Sequence, residues 1–102
     1  MDYRLQCHEI SGVTIAPIPD IGPLFGEVLT RYRTRAEITQ EELALRADLD
    51  RTFVSRLERG IRQPTITTLF AVAQALDVHA ADLVRDTEDL LRRKTPGKKN
   101  SA

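Results

Sequence analysis

Between Arg46 and Arg62 the chain carries five arginines (46, 51, 56, 59 and 62) against three acids, Asp48, Asp50 and Glu58. At about 100° per residue, a helix beginning at Arg51 and running to about Arg59 sets Val54, Leu57, Glu58 and Ile61 on one side. Thr52, Ser55, Arg56 and Arg59 then cluster on the other, a face with no carboxylate. Guanidinium and hydroxyl groups in this pattern suit the recognition of duplex DNA. A major groove about 12 Å wide admits one helix, and an arginine bonded bidentately to guanine O6 and N7 contributes roughly 1–3 kcal/mol of discrimination. Arg51, in the first turn, reaches base edges in the same reading. The same composition also serves a helix face that is merely solvated. The three acids have local roles. Asp48 suits a left-handed turn, Asp50 suits a helix cap, and Glu58 needs a counter-charge, for which Arg33 stands at the edge of the apolar face of the first helix, which ends near Arg35.

Other chemistries find little support. Cys7-His8 and the distant His79 leave a tetrahedral metal site short of ligands, so no metal is expected. Ser55 and Ser101 have no histidine and acid arranged to activate them, and no glycine-rich phosphate loop is present. The expectation is therefore no enzyme, no cofactor and no small-molecule ligand. A single cysteine excludes an internal disulfide and suits a reducing compartment. No signal segment and no apolar run long enough to span a membrane is visible. The formal net charge of zero says nothing until the charges are located.

The elements that must position the arginines are predicted from the same residues. With 102 residues, 41% of them hydrophobic and 29% charged, one all-α domain over 23–93 is the expectation. Residues 1–22 read as an extended N-terminal arm, with Tyr3, Leu5 and Cys7 alternating with polar residues, and 94–102 as a disordered basic tail that adds weakly to nonspecific affinity. Pro23 opens a first helix, carrying Phe25, Val28, Leu29 and Tyr32, that ends near Arg35. Thr39 caps a second helix in a capping box with Glu42, and Ile38 and Leu43 form its staple. Leu49, Asp50 and Val54 repeat that start for the third, which stops at Gly60. Pro64 and Thr65 open a fourth helix with Leu69, Val72, Ala73 and Leu76 on one face. A fifth runs from Ala80 to about Arg93, with Leu83, Val84, Leu90 and Leu91 on one face and Glu88–Arg92 and Asp89–Arg93 as ion pairs.

From about Leu24 to Asp86, some three fifths of the chain, this order resembles the lambda-repressor-like helix-turn-helix domains of the Xre/Cro type. The likeness rests on Thr39-Gln40-Glu41-Glu42-Leu43-Ala44, on Leu49-Asp50-Arg51-Thr52-Phe53-Val54-Ser55-Arg56-Leu57-Glu58-Arg59-Gly60, and on Gln63-Pro64-Thr65 followed by Leu69 and Ala75-Leu76-Asp77-Val78. The resemblance implies a five-helix bundle in which Arg51, Thr52, Ser55 and Arg56 face bases, Thr39, Gln40, Arg59 and Arg62 contact phosphates, and Arg33 pairs with Glu58. Asp50-Arg51-Thr52-Phe53-Val54-Ser55 is similar to the controller proteins of restriction-modification systems, which usually have tyrosine in place of Phe53. Glu37, Asp48 and Asp77 stand where members often have glycine. The expected function is that of a bacterial, cytoplasmic and nucleoid-associated regulator, a repressor in preference to an activator, bound as a homodimer to an inverted-repeat operator. Phe70 and the face with Leu83, Val84, Leu90 and Leu91 are candidates for the dimer interface, although the same residues would also complete a monomer core, and the arm could swap between subunits. The alternative is a protein-interaction module such as an antitoxin that neutralises a partner protein.

Overall fold

The computed structural model describes residues 17–94. The expected extended arm up to Ala16 and the basic tail from Thr95 lie outside the described residues. Five helices follow in order: α1 (Gly22–Arg35), α2 (Gln40–Ala47), α3 (Arg51–Glu58), α4 (Ile66–Leu76) and α5 (Ala80–Arg93). None is long and apolar enough to cross a membrane.

The helix starts follow local rules with two departures. Thr39 and Thr65 each accept a bond from the amide three residues on, Glu42 and Thr68, at 3.0 and 3.1 Å. These satisfy donors that a helix N-terminus leaves free. The capping box at Thr39 is only half formed, because Glu42 turns to Arg46, 2.9 Å away, instead of reaching back to the Thr39 amide. Asp50 has the extended backbone of a cap, yet its carboxylate accepts no capping bond.

The first four helices end with one device. The residue after the last turn takes a left-handed conformation at Glu37 (φ 61°), Asp48 (φ 59°), Asp77 (φ 60°) and Gly60 (φ 79°). In each case the next amide, that of Ile38, Leu49, Val78 or Ile61, bonds back to a carbonyl five residues earlier. Ile38, Leu49 and Val78 thereby fold onto the core. Ile61 does not: helical periodicity sets it beside Val54 and Leu57, but it lies past the end of α3 and is 59% exposed.

Leu29, Leu43, Leu57, Leu83, Val28, Val54 and Val72 are fully buried at the centre. At eight residues each, α2 and α3 are too short to be stable alone in water. Burial of side chains such as Leu43, Val54 and Leu57, about 1.5–3 kcal/mol apiece, is what holds them. The close fit of α1 on α3 requires Gly26, where a Cβ would fall 2.4 Å from the Glu58 carbonyl oxygen and 2.6 Å from that of Leu57. On α5 the expected apolar stripe divides, with Leu83 and Leu90 buried and Val84 half exposed. Thr87 is buried between them and donates to the Leu83 carbonyl at 2.8 Å. Glu88 pairs with Arg92 at 3.0 Å, whereas the Asp89–Arg93 pair does not form.

Two polar links tie α1 to its neighbours. Arg33 Nε and Nη2 donate to the two carboxylate oxygens of Glu58 at 2.6 and 3.1 Å, and Arg33 Nη1 donates to the Ile38 carbonyl at 2.8 Å. The side chains are 17% and 5% exposed, so the pair is largely withdrawn from water. At the other edge, Tyr32 Oη donates to the Asp86 carboxylate on α5, and the Arg35 guanidinium stacks 5.0 Å from the Tyr32 ring centroid.

Removing one member of a buried pair strands the other, at about 3 kcal/mol or more. Glu58→Ala is therefore expected to lower the Tm by about 10–20 °C in a domain of this size, as read by circular dichroism; a melt at the wild-type temperature would remove the pair from the fold's supports. The hydrogen bond to Asp86 followed by burial raises the Tyr32 pKa above the ordinary tyrosine value. Its contribution to stability is present below the unfolded tyrosine pKa and is lost as pH rises through the folded one. In an ultraviolet alkaline titration, Asp86→Ala should bring the ionisation of Tyr32 back toward the ordinary range.

Candidate nucleic-acid interface

The outward side of α3 follows from what its inward side buries. Val54 and Leu57 are fully enclosed, which turns Arg51, Thr52, Arg56 and Arg59 to solvent and leaves Ser55 half-buried at the flank. Arg51, Thr52, Ser55 and Arg59 come together with Gln40 of α2 around a polar surface depression of about 280 Å³. Arg56 is exposed but stands outside this depression, as do Thr39 and Arg62. The residues expected from the sequence to contact bases and phosphates thus form a central group of five with three outliers. The Thr39 hydroxyl is occupied as an acceptor by the Glu42 amide, which leaves its O–H free to donate.

The charges are sorted by face. Arg31, Arg46, Arg85 and Arg92 pair with Glu27, Glu42, Asp82 and Glu88 along their own helices, exposed contacts of small worth. Arg51, Arg56, Arg59 and Arg62 have no acidic partner among the described residues. Glu58 does not offset them, because its carboxylate is turned inward to Arg33. A chain of zero net charge consequently presents four uncompensated guanidinium groups on and just beyond one helix, donors matched to phosphate oxygens and guanine edges.

One contact is not visible in the sequence. Gln40 Nε2 donates to Glu58 Oε1 at 2.9 Å. Sequence reasoning supplies Glu58 with one partner, Arg33, and turns Gln40 outward to phosphate. A carboxylate accepts up to four bonds, so the lone pairs remaining beside Arg33 are the signal that a second donor is needed. Phe53 is half-buried and packs on the core, a position where an apolar ring suffices. A second hollow, apolar and about 270 Å³, lies among Ile21, Phe25, Leu69, Val84 and Leu91. Among the described residues no His, Cys, Asp and Glu side chains group as metal ligands, and Cys7 and His8 fall outside them.

A helix-turn-helix family profile matches residues 29–83, just over half of the chain. The HTH-type transcriptional regulator y4dJ of Sinorhizobium fredii is 40% identical over 70 residues, covering 69% of this chain and 91% of that protein. The control protein C.BamHI of Bacillus amyloliquefaciens is 36% identical over 62 residues, with coverage of 60% and 76%. Among solved structures, the restriction-modification controller protein C.AhdI of Aeromonas hydrophila superposes with a TM-score of 0.59 at 36% identity, over 60% of this chain and 92% of that one. Sequence, helix order and the geometry around α3 converge, and the chain belongs to the Xre-like helix-turn-helix family of DNA-binding transcriptional regulators.

Proposed function

We propose that the protein is a dimeric repressor that reads an inverted-repeat operator with α3 in the major groove. The observation that carries this reading is the set of unpaired arginines on the carboxylate-free side of α3, three of whose residues share a polar depression with Arg59 and Gln40. In it, Arg51, Thr52, Ser55 and Arg56 contact base edges. Thr39, Gln40, Arg59 and Arg62 contact phosphates and set the register. Such a regulator acts in the bacterial cytoplasm, on the nucleoid, without cofactor or small-molecule ligand. Its relatives are regulators and controller proteins, not enzymes, and nothing among them supports the antitoxin alternative.

Dimerisation rests on an energetic argument. One helix of eight residues reaches few base pairs, whereas two joined domains present their reading helices to half-sites about one helical turn apart. Burial revises the candidate interface. Leu83 and Leu90, 0% and 4% exposed, are committed to the monomer core, while Phe70 and Val84, 62% and 50% exposed, are available to a second copy, with Leu91 partly so.

Selection of bound duplexes from a random DNA pool should return an inverted repeat, and recovery of no preferred sequence would refute sequence reading. Against the selected site, Arg51→Ala combined with Arg56→Ala should weaken binding by about 100-fold or more. Both side chains are exposed, so the Tm should stay within a few degrees of wild type. Phe70→Glu is expected to shift the protein from dimer to monomer in sedimentation velocity while the helical circular dichroism signal is kept; an unchanged dimer would clear Phe70 from the interface.

A further inference from the structure

We propose that the apolar hollow at the start of α1 is the docking site of a segment of this same chain, Ile10–Ile15, whose apolar side chains fill it and extend the core of the domain. The proposal is independent of the DNA-reading function.

The hollow, about 270 Å³, lies where the start of α1, the approach to α4 and one side of α5 meet, with Ile21, Phe25, Leu69, Val84 and Leu91 around it. Val84 is half exposed there. The polar residues in its wall are engaged with one another's neighbours and not with the space between them. The Thr87 hydroxyl donates to the Leu83 carbonyl at 2.8 Å, Gln63 Nε2 donates to Asp20 Oδ1 at 3.2 Å, and Glu88 accepts from Arg92 at 3.0 Å. An occupant is therefore held by apolar contact.

The chain itself leads to this place. Asp20 accepts from Gln63 and, at 3.0 Å, from the Gly22 amide, so the residues entering α1 are pinned to the loop before α4. The fit is close, since a Cβ on Gly22 would fall 2.8 Å from the Gly60 carbonyl oxygen. Ile21 and Gln63 thus belong both to the anchor of the entering chain and to the wall of the hollow. The link from Ile15 to Asp20 spans at most about 18 Å. So short a tether keeps the segment at an effective concentration of the order of millimolar, which a second copy or a free molecule would have to match.

The segment has the matching chemistry. Residues Ile10–Pro19 include Ile10, Val13, Ile15 and Ile18 and no charged side chain, in a chain that is 29% charged. Isoleucine and valine are among the residues most often fully buried. Ile18, the one of these four within the described residues, is 62% exposed, so the filling of the hollow falls to Ile10, Val13 and Ile15. Residues 95–102 are no rival, because they have no large apolar side chain. Phe70 does not line the hollow, which leaves it to the dimer contact proposed above.

The test uses the full-length protein with Cys7→Ser and Thr14→Cys, so that a nitroxide is attached at residue 14 alone, and reads the broadening of methyl signals by nuclear magnetic resonance. The signals of Leu69, Val84 and Leu91 should lose intensity several-fold more than that of Leu45, an exposed residue of α2 outside the hollow. The effect should be absent when isotope-labelled protein without nitroxide is mixed with unlabelled protein that carries it. Adding Val13→Asp and Ile15→Asp should abolish the differential broadening and, without the nitroxide, lower the Tm by about 5 °C. Equal broadening at all four residues would overturn the proposal, as would differential broadening or a wild-type Tm that survives the two added substitutions. Broadening in the mixed sample would assign the hollow to a segment of a second copy and so overturn docking within the chain.

Discussion

Everything that faces outward from α3 depends on a carboxylate that faces inward. Glu58 collects two bonds from Arg33 and one from Gln40, and Arg33 extends the network to the Ile38 carbonyl in the turn between α1 and α2. Buried ion pairs of this kind add little net stability over an apolar packing, since the cost of desolvation offsets most of the attraction. They do impose direction, because hydrogen bonds fix angles that hydrophobic contact leaves free. In α3, which is eight residues long with two buried side chains, the apolar grip of Val54 and Leu57 sets the buried side and the Glu58 network sets the rotation about it.

The same network resolves the charge balance. A helix meant for a polyanion cannot tolerate a carboxylate on its contact face, yet the formal net charge of the chain is zero. The acids are disposed of locally: some neutralise arginines a turn away on the exposed sides of α1, α2 and α5, Asp48 and Asp77 occupy left-handed turns, and Glu58 is buried. Among the described residues, Arg51, Arg56, Arg59 and Arg62, on and just after α3, are left without an acidic partner. Partition of charge by face, and not its total, gives the electrostatic character of the surface.

The scaffold also tolerates local strain. Non-glycine residues in the left-handed region cost roughly 1–2 kcal/mol each, less for aspartate than for Glu37. The bonds from Ile38, Leu49 and Val78 that close these turns, and the packing of the same three side chains on the core, offset that cost. The Tyr32–Asp86 contact ties the last turn of α1 to α5, beside the Arg33–Glu58 pair that ties the same turn to α3. Further back along α1, Gly26 brings its backbone against the terminus of α3, where a Cβ would have no room.

How much of this is legible in the sequence depends on the range of the interaction. Helix boundaries rest on caps, left-handed turns and apolar period, which operate within a few residues, and Thr39, Asp48, Gly60 and Thr65 announce them in the sequence alone. The outward set on α3 is equally accessible, since helical periodicity assigns faces once Val54 and Leu57 are taken as buried. Other outcomes belong to tertiary structure because they are competitions between partners far apart in the chain. Glu42 chooses Arg46 over the Thr39 amide, Gln40 meets Glu58 across eighteen residues, and Leu83 and Leu90 are drawn into the core while Val84 on the same helix is left half in water. Spacing along one helix shows which side chains share a face; only the packed neighbours decide how much of that face is covered and which of several donors a buried carboxylate receives.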